Sequence, residues 1–339
     1  MKRLLMIAAI AVLACSCGKE IALEEIPQES VVYITLKNDN SVKASGAGHG
    51  VQADDNNINT LEVFVFRAEQ GKDDYGMLDV YKKFSGRELS SLSNLEVKTT
   101  TGNKIIYAVA NSHKENWSGI TTLGEFEKQT ASLMNEDVRD FVMVGCKEEA
   151  LQLASSVSIA VRRLVARIQV NSIETDFEDT PYEGCSLTDV KAYLINVQGM
   201  KYFYDGSGTD LKLLNSKKYV GADVSGALMD NVLYEDIAAI VDDSGYAVPH
   251  YFYCYENNLG TETESERFTR LVIEAGLNGR RYYYPIAIKN LERNCCYSVD
   301  VKIRRPGSLD PDVDVVLGTM ELALDVLGWN TLPGSVVEF

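Results

Sequence analysis

Histidine is scarce in this 339-residue chain. Only His49, His113 and His250 occur, and none stands at a metal-ligand spacing from another. A zinc site or a histidine-based catalytic centre is therefore without support. No G-x-S-x-G elbow or paired-carboxylate signature stands out, so no active site can be named. Isolated Asp and Glu residues carry no information about glycoside chemistry in so acidic a chain. Positive charge is short: 33 Lys and Arg face 49 Asp and Glu, giving a formal charge of −16. That balance repels nucleic acid and anionic lipid and argues against a polyanionic partner. The cysteines include no C-x-x-C pair. The five beyond residue 20, Cys146, Cys185, Cys254, Cys295 and Cys296, are odd in number and scattered. They read as mostly buried thiols, since a chain of this size does not need a disulfide framework. Cys295 and Cys296 are adjacent on a strand pattern and should face opposite sides of a sheet.

Long apolar runs are also missing. The stretch from Leu4 to Leu13 spans ten residues, about half of the ~20 that a membrane-crossing helix needs. Preceded by Lys2 and Arg3 and followed by small residues, it reads as an export signal that is removed. A cysteine just after such a run points to lipid attachment at its thiol. Ser16-Cys17-Gly18-Lys19 places the modification at Cys17; Val12-Leu13-Ala14-Cys15 makes Cys15 the runner-up. The expected mature chain is a body held at the outer membrane by acyl chains on its N-terminus. Loss of residues 1–16 removes two positive charges and moves the formal charge from −16 to −18.

What is present is β pattern. Apolar residues recur with period two, in segments rich in Val, Ile, Tyr and Phe. A polar leader over 17–29 precedes a first strand, Val31-Val32-Tyr33-Ile34-Thr35-Leu36. A loop from Lys37 to Asn59 with Gly46, Gly48 and Gly50 follows, expected to be open to proteases. Further strands are expected at Leu61–Phe66, Leu78–Phe84, Leu95–Thr99 and Lys104–Ala110. Thr122 and Glu125 have the spacing of a capping box, which predicts a helix with Leu123, Phe126 and Leu133 on its apolar face, ending near Met134. The length suits two domains, divided as 30–157 and 158–339. In the second, Arg270–Ala275, Asn278-Gly279 and Tyr282–Lys289 form a hairpin, because Asn-Gly supplies the positive φ angles of a tight turn. A strand over Tyr297–Arg304, a Pro/Asp break over 306–314 and a last segment, 315–339, complete the pattern.

Three motifs have simpler readings beside their chemical ones. Gly46, Gly48 and Gly50 lack the Lys-Ser/Thr and the third glycine position of phosphate loops, so a plain loop is the better reading. Asp310, Asp312, Asp314 and Glu321 have part of a calcium-loop spacing, but Val315 replaces the required glycine, which favours an acidic solvated linker before the last strands. Tyr202-Phe203-Tyr204, Tyr251-Phe252-Tyr253 and Tyr282-Tyr283-Tyr284 could stack on sugars, although strand tyrosines more often cover a core edge or pair across strands.

Several segments, in order, resemble the fimbrillins, the pilus subunits of the Bacteroidia. These are Val31–Lys37 before a small-residue loop, the LxVxVF strand Leu61–Phe66, Ile105–Asn111 ending in VAN, and Arg163-Leu164-Val165-Ala166-Arg167. Tyr283-Tyr284-Pro285, Glu292-Arg293-Asn294 before a YxVxV strand, and a C-terminal strand reaching Trp329 follow. The resemblance implies a mainly β fold of two transthyretin-like β-sandwich domains in tandem with one or two short helices, no enzymatic activity and no cofactor. It further implies a surface fimbrium subunit exported as a lipoprotein through the periplasm. A trypsin-like protease would cut between Lys43 and Ala44, at a place where the family usually offers arginine. Val31 to Leu36 would then leave, and a neighbour's C-terminal segment would fill the groove through Leu322, Leu324, Val326, Trp329, Val336 and Phe339. Partners would be other copies or related pilins, the outer membrane through lipid, and surface receptors of host or bacteria, with no nucleic acid. The alternative is a pilus tip or surface lipoprotein that binds glycans or host proteins.

Overall fold

A computed structural model describes residues 27–38, 57–204, 213–215, 232–263, 266–316 and 318–328. The fold is mainly β, as the period-two pattern predicts. Seven strands form the first sheet. Their order is β3 (Leu78–Ser85), β2 (Thr60–Arg67), β5 (Gly102–Ala110), β7 (Met143–Leu151), β8 (Ala154–Arg163), β1 (Glu29–Asn38) and β4 (Leu95–Thr100). All neighbours are antiparallel except β1 and β8. The continuous apolar run of β2 has a direct consequence. Residues 61–66 are buried without exception, because the strand is covered on both faces. Leu61, Val63 and Val65 enter one core with the β1 side chains, while Phe64 and Phe66 enter a second.

The sheet curls until its two edges meet. Lys82 of β3 donates to the Glu96 carbonyl of β4 at 2.8 Å, and Asp79 of β3 accepts from Thr99 and Thr100 of β4. The inner face of this curl holds Val32, Ile34, Val63, Val97, Ile106, Val157 and Ile159.

The second half contains two four-stranded sheets. One has the order β14 (Tyr234–Val241), β10 (Leu187–Ile195), β16 (Thr269–Leu277), β17 (Arg280–Ile288). The other has β15 (His250–Tyr255), β9 (Val165–Thr175), β18 (Cys295–Ile303), β19 (Met320–Gly328). Their facing sides share one core, with Ile168, Val170, Leu194, Leu271, Ile273, Val299 and Val301 among its members. The expected hairpin is β16–β17, in full register from Thr269↔Ile288 to Leu277↔Arg280. Asn278 and Gly279 have φ of 50° and 76°, the positive values that a two-residue turn following the strand twist requires.

Two small ladders complete the described residues. In one, β11 (Val197–Gln198) pairs with β13 (Leu213–Leu214). In the other, β12 (Met200–Tyr202) pairs with β6 (Thr130–Ser132), which ties the two halves together. Phe203 lies beside Trp117 at 5.2 Å between ring centres, and Phe141 beside Tyr253 at 4.7 Å. The tie is therefore a packed aromatic junction.

Some expectations are corrected. The capping box forms, with Thr122 Oγ1 accepting from the Glu125 amide, but it opens only one helical turn, α1 (Leu123–Phe126). The helix does not reach Met134. Gln129 instead accepts from the Phe203 amide through its carbonyl, and Thr130–Ser132 becomes β6. A pairing 70 residues distant in sequence thus overrides local helix propensity. The sheet that begins with β1 continues through β8 to Arg163, so position 157/158, where the two domains were divided, falls inside a strand.

Among the cysteines, Cys254, Cys295 and Cys296 are buried and Cys185 is half-buried, whereas Cys146 is exposed on β7. Burial pushes the Cys295 thiol up to about 11. Cys295 faces the second-half core while Cys296 contacts Gln169 and Arg167 on the opposite side, as adjacent strand positions should.

Candidate functional site: the slot held by β1

β1 is flanked on both sides. Glu29 to Ile34 pair antiparallel with Thr100 to Leu95 of β4, and Val31 to Asn38 run parallel to Ala154 to Val161 of β8. The alternation of VVYITL sorts its side chains: Val32, Ile34 and Leu36 point into the core and are 0, 0 and 7 % exposed. Val31, Tyr33 and Thr35 lie half-buried on the other face. Further bonds fix its ends, with Val31 donating to the Leu153 carbonyl at 3.1 Å, Leu36 to Leu92 at 2.9 Å, and Ser30 through its hydroxyl to Gln152. The three inward side chains each stabilise the fold by roughly 1.5–3 kcal/mol. Removing the strand would also strip ladder partners from both neighbours, which buried backbone cannot tolerate. A slot so vacated would favour any apolar alternating strand that could refill it.

The expected donor residues lie elsewhere. Leu322, Leu324 and Val326 sit on β19, an edge strand that pairs antiparallel with β18. They stand opposite Val301, Val299 and Tyr297, whose side chains are buried, so they face the open margin of the second-half core. Leu322 and Val326 remain 40 and 41 % exposed. Within one chain the structure does not bring β19 to β1, since the two belong to different sheets. Cys15, Cys17, Lys43, Ala44, Trp329, Val336 and Phe339 lie outside the described residues.

Residues that sequence reasoning did not single out frame the slot. The side chain of Asp79 on β3 is 3 % exposed. Its Oδ2 accepts from Thr99 Oγ1 at 2.6 Å, the Thr100 amide at 2.9 Å, Thr100 Oγ1 at 2.8 Å and Lys104 Nζ at 3.1 Å. Burial alone would raise its pKa, but these donors outweigh burial and hold the carboxyl well below the usual range. Lys104, 2 % exposed, is lowered by burial despite Asp79. Nothing in the spacing of LDVYKKFS reveals these partners, because Lys104 comes from β5 and the threonines from β4, which β3 meets only through the curl of the sheet. Glu136 is likewise buried at the junction of the halves, where it accepts from the Val142 amide at 3.0 Å and from Tyr255 Oη at 2.8 Å. Burial pushes it up to about 8 in spite of both donors.

The chemical motifs resolve into structural roles. Asp312 is bound by Arg267 at 3.0 Å and by Asn196 at 2.9 Å, and Asp314 is bound by Arg270 at 3.1 Å. Glu321 is paired with Arg304 at 2.7 Å. Asp312 and Asp314 are thus neutralised by arginines, and Asp312 is buried, where a solvated linker was expected. Among the described residues no group of His, Cys, Asp and Glu could hold a metal ion. His113 contacts the Asp140 carbonyl and His250 the Tyr246 hydroxyl, while His49 lies outside the described residues. The three tyrosine clusters contribute no exposed ring; Tyr253 and Tyr284 are buried outright.

Comparison with known proteins fits this geometry. Residues 30–155, which begin inside β1 and end inside β8, match the model of the family described as major fimbrial subunit protein (FimA). Over these residues the chain is similar to the fimbrillins. The fold extends the likeness over nearly the whole chain. A fimbrilin from Porphyromonas gingivalis superposes with a TM-score of 0.61 at 16 % identity, covering 90 % of this chain and 99 % of that one. A candidate cell adhesion protein from Bacteroides eggerthii gives 0.63 at 20 % identity, covering 89 % and 96 %. Another, from Parabacteroides distasonis, gives 0.62 at 15 %, covering 90 % and 100 %. No curated protein matches the chain.

Proposed function

We propose that this chain is a structural subunit of a cell-surface fimbrium, exported as a lipoprotein and polymerised by exchange of β1. Lipid on Cys17, or on Cys15, would hold the precursor at the outer membrane. Cleavage between Lys43 and Ala44 would detach β1 from the rest of the chain. The segment that begins with β19 and runs through Trp329, Val336 and Phe339 of a neighbouring copy or a related pilin would then fill the slot.

The observation that carries this reading is the placement of β1. It is the first strand of the family-matched segment, inserted between β8 and β4, with Val32, Ile34 and Leu36 forming part of the core. A strand so placed cannot leave without a substitute, which turns loss of the strand into a demand for a partner. The half-exposed Leu322 and Val326 on an edge strand supply an apolar alternation of the right kind. The reading includes no chemistry of the chain's own.

The test is digestion of the chain lacking residues 1–16 with trypsin. The expected result is release of a fragment ending at Lys43 and the appearance of ladders that survive detergent without heating. A chain that is cut cleanly at Lys43 and stays monomeric would overturn the reading.

A further inference from the structure

Among the described residues β4 has a single ladder neighbour, β1. Departure of β1 would leave it without ladder pairing, facing β8 across a gap one strand wide, roughly 9–10 Å at ~4.8 Å per strand spacing. Since β4 is antiparallel to β1, and β1 is parallel to β8, β4 already has the direction needed to pair with β8 itself. Such closure would satisfy both bare edges and shut the slot before a partner arrived. Something must hold β4 away from β8.

We propose that Asp79 is a positioning residue for strand exchange, a latch that keeps β4 against β3 while the slot is empty. This rests on β1 being the strand that leaves. Each donor to Asp79 lies outside β1: Thr99 and Thr100 on β4, Lys104 on β5, and Arg67 on β2, whose Nε reaches Oδ1 at 3.2 Å. The latch therefore survives the loss of β1 intact. Lys104 binds the Thr100 hydroxyl at 2.7 Å as well, so the end of β4 is tied to two strands that stay behind. The bond from Lys82 to the Glu96 carbonyl supplies a second tie midway along β4. An open cavity beside the latch is lined by Glu29, Ser30 and Val31 of β1 together with Asp79 and Thr99, which puts the latch at the rim of the slot.

The two side chains of β4 that enter the core, Leu95 and Val97, pack against Val32 and Ile34 in the intact chain and would lose that cover. Burial of these two alone does not fix which edge β4 takes. The buried hydrogen bonds from Thr99 and Thr100 to Asp79 of β3 do, because moving β4 toward β8 would strip Asp79 and Lys104 of the threonines.

The test uses the full chain with a specific protease site placed between Asn38 and Asn57. The cut protein is incubated with a fluorescent peptide of residues 27–38, and the rate of peptide capture is followed. Thr99→Val removes one donor from β4 while leaving the Asp79–Lys104 pair in place. It is expected to slow capture about tenfold, the scale of one charge-assisted hydrogen bond. The same change should move the thermal midpoint of the uncut protein by no more than about 3 °C, since β1 then holds β4 through the ladder.

Thr99→Ser keeps the hydroxyl and should restore capture. The paired change Asp79→Asn with Lys104→Met should slow capture further without leaving a buried unpaired charge. Capture at the wild-type rate by both Thr99→Val and the paired variant would overturn the latch, as would a loss of capture that merely tracks the fall in stability of the uncut protein. If the unmodified protein, cleanly cut, takes up no peptide at all, the departing-strand reading fails and the latch with it.

Discussion

β1 and β19 are both strands with alternating apolar residues near the ends of the chain, yet the fold treats them differently. β1 has a neighbour on each side and hides Val32, Ile34 and Leu36 almost completely. β19 has a neighbour on one side and leaves Leu322 and Val326 about two-fifths exposed. The same pattern of side chains is therefore fully used in one place and half used in the other. A strand whose apolar face is half used in its own chain gains by docking where that face can be covered, whereas β1 cannot be lost without replacement.

The largest expected effect breaks this comparison if it fails. Ile34→Ala in the uncut full chain should cost about 2–5 kcal/mol, as a large-to-small change at a closed core site does. Leu322→Ala should cost no more than about 1 kcal/mol, because much of that side chain is already in water. Urea titration of the two variants reads the difference, and equal costs would remove the asymmetry.

A second prediction concerns the wall of the slot. Gly145 of β7 lies so close to β8 that an added Cβ would overlap the Ala160 carbonyl and press on Ile159, one of the slot's core residues. Gly145→Ala should therefore destabilise the chain by about 1–3 kcal/mol, as overpacking does. A variant as stable as the parent would show that β8 can yield, and that the slot is not rigidly walled.

A third effect sits between the halves and is read against pH. Burial raises Glu136 from an ordinary carboxylate value to about 8, so the folded chain binds this proton more tightly than the unfolded chain does. Its contribution is fully present below the unfolded pKa of about 4.5 and is lost as pH rises toward 8. Stability should fall over that window, by at most about 1.4 kcal/mol per pH unit from this one group. Glu136→Gln should flatten the slope, which thermal unfolding between pH 5 and pH 8 would show. A slope unchanged by the substitution would mean that other groups govern the junction.

How much of this was legible in the sequence differs between elements. The period-two runs of β1, β2, β3, β4 and β5, and the Asn-Gly hairpin, could be read because side-chain alternation and turn chemistry are local properties. The same local reading put a longer helix after Thr122, where the chain instead pairs Thr130–Ser132 with Met200–Tyr202. The framing of the slot was not legible at all. Asp79 and Thr99 are 20 residues apart on strands that do not share a ladder, and only the curl of the sheet makes them partners. The arginines that neutralise Asp312 and Asp314 come from β16 and the segment before it, so the acidic run could be read as a linker but not as half of an ion network.

The central claim is that β1 must leave its slot for the chain to polymerise. Tyr33 of β1 stands opposite Glu96 of β4 on the outer side of the sheet, and directly opposed antiparallel residues lie about 4.5–5.5 Å apart, within reach of a disulfide. A Tyr33→Cys/Glu96→Cys chain carrying Cys146→Ser would lock β1 when oxidised. After cutting at Lys43, the oxidised protein should remain monomeric in unheated detergent gels, and reduction should restore the ladders. Ladders of equal extent from the oxidised, fully cross-linked protein would contradict the account.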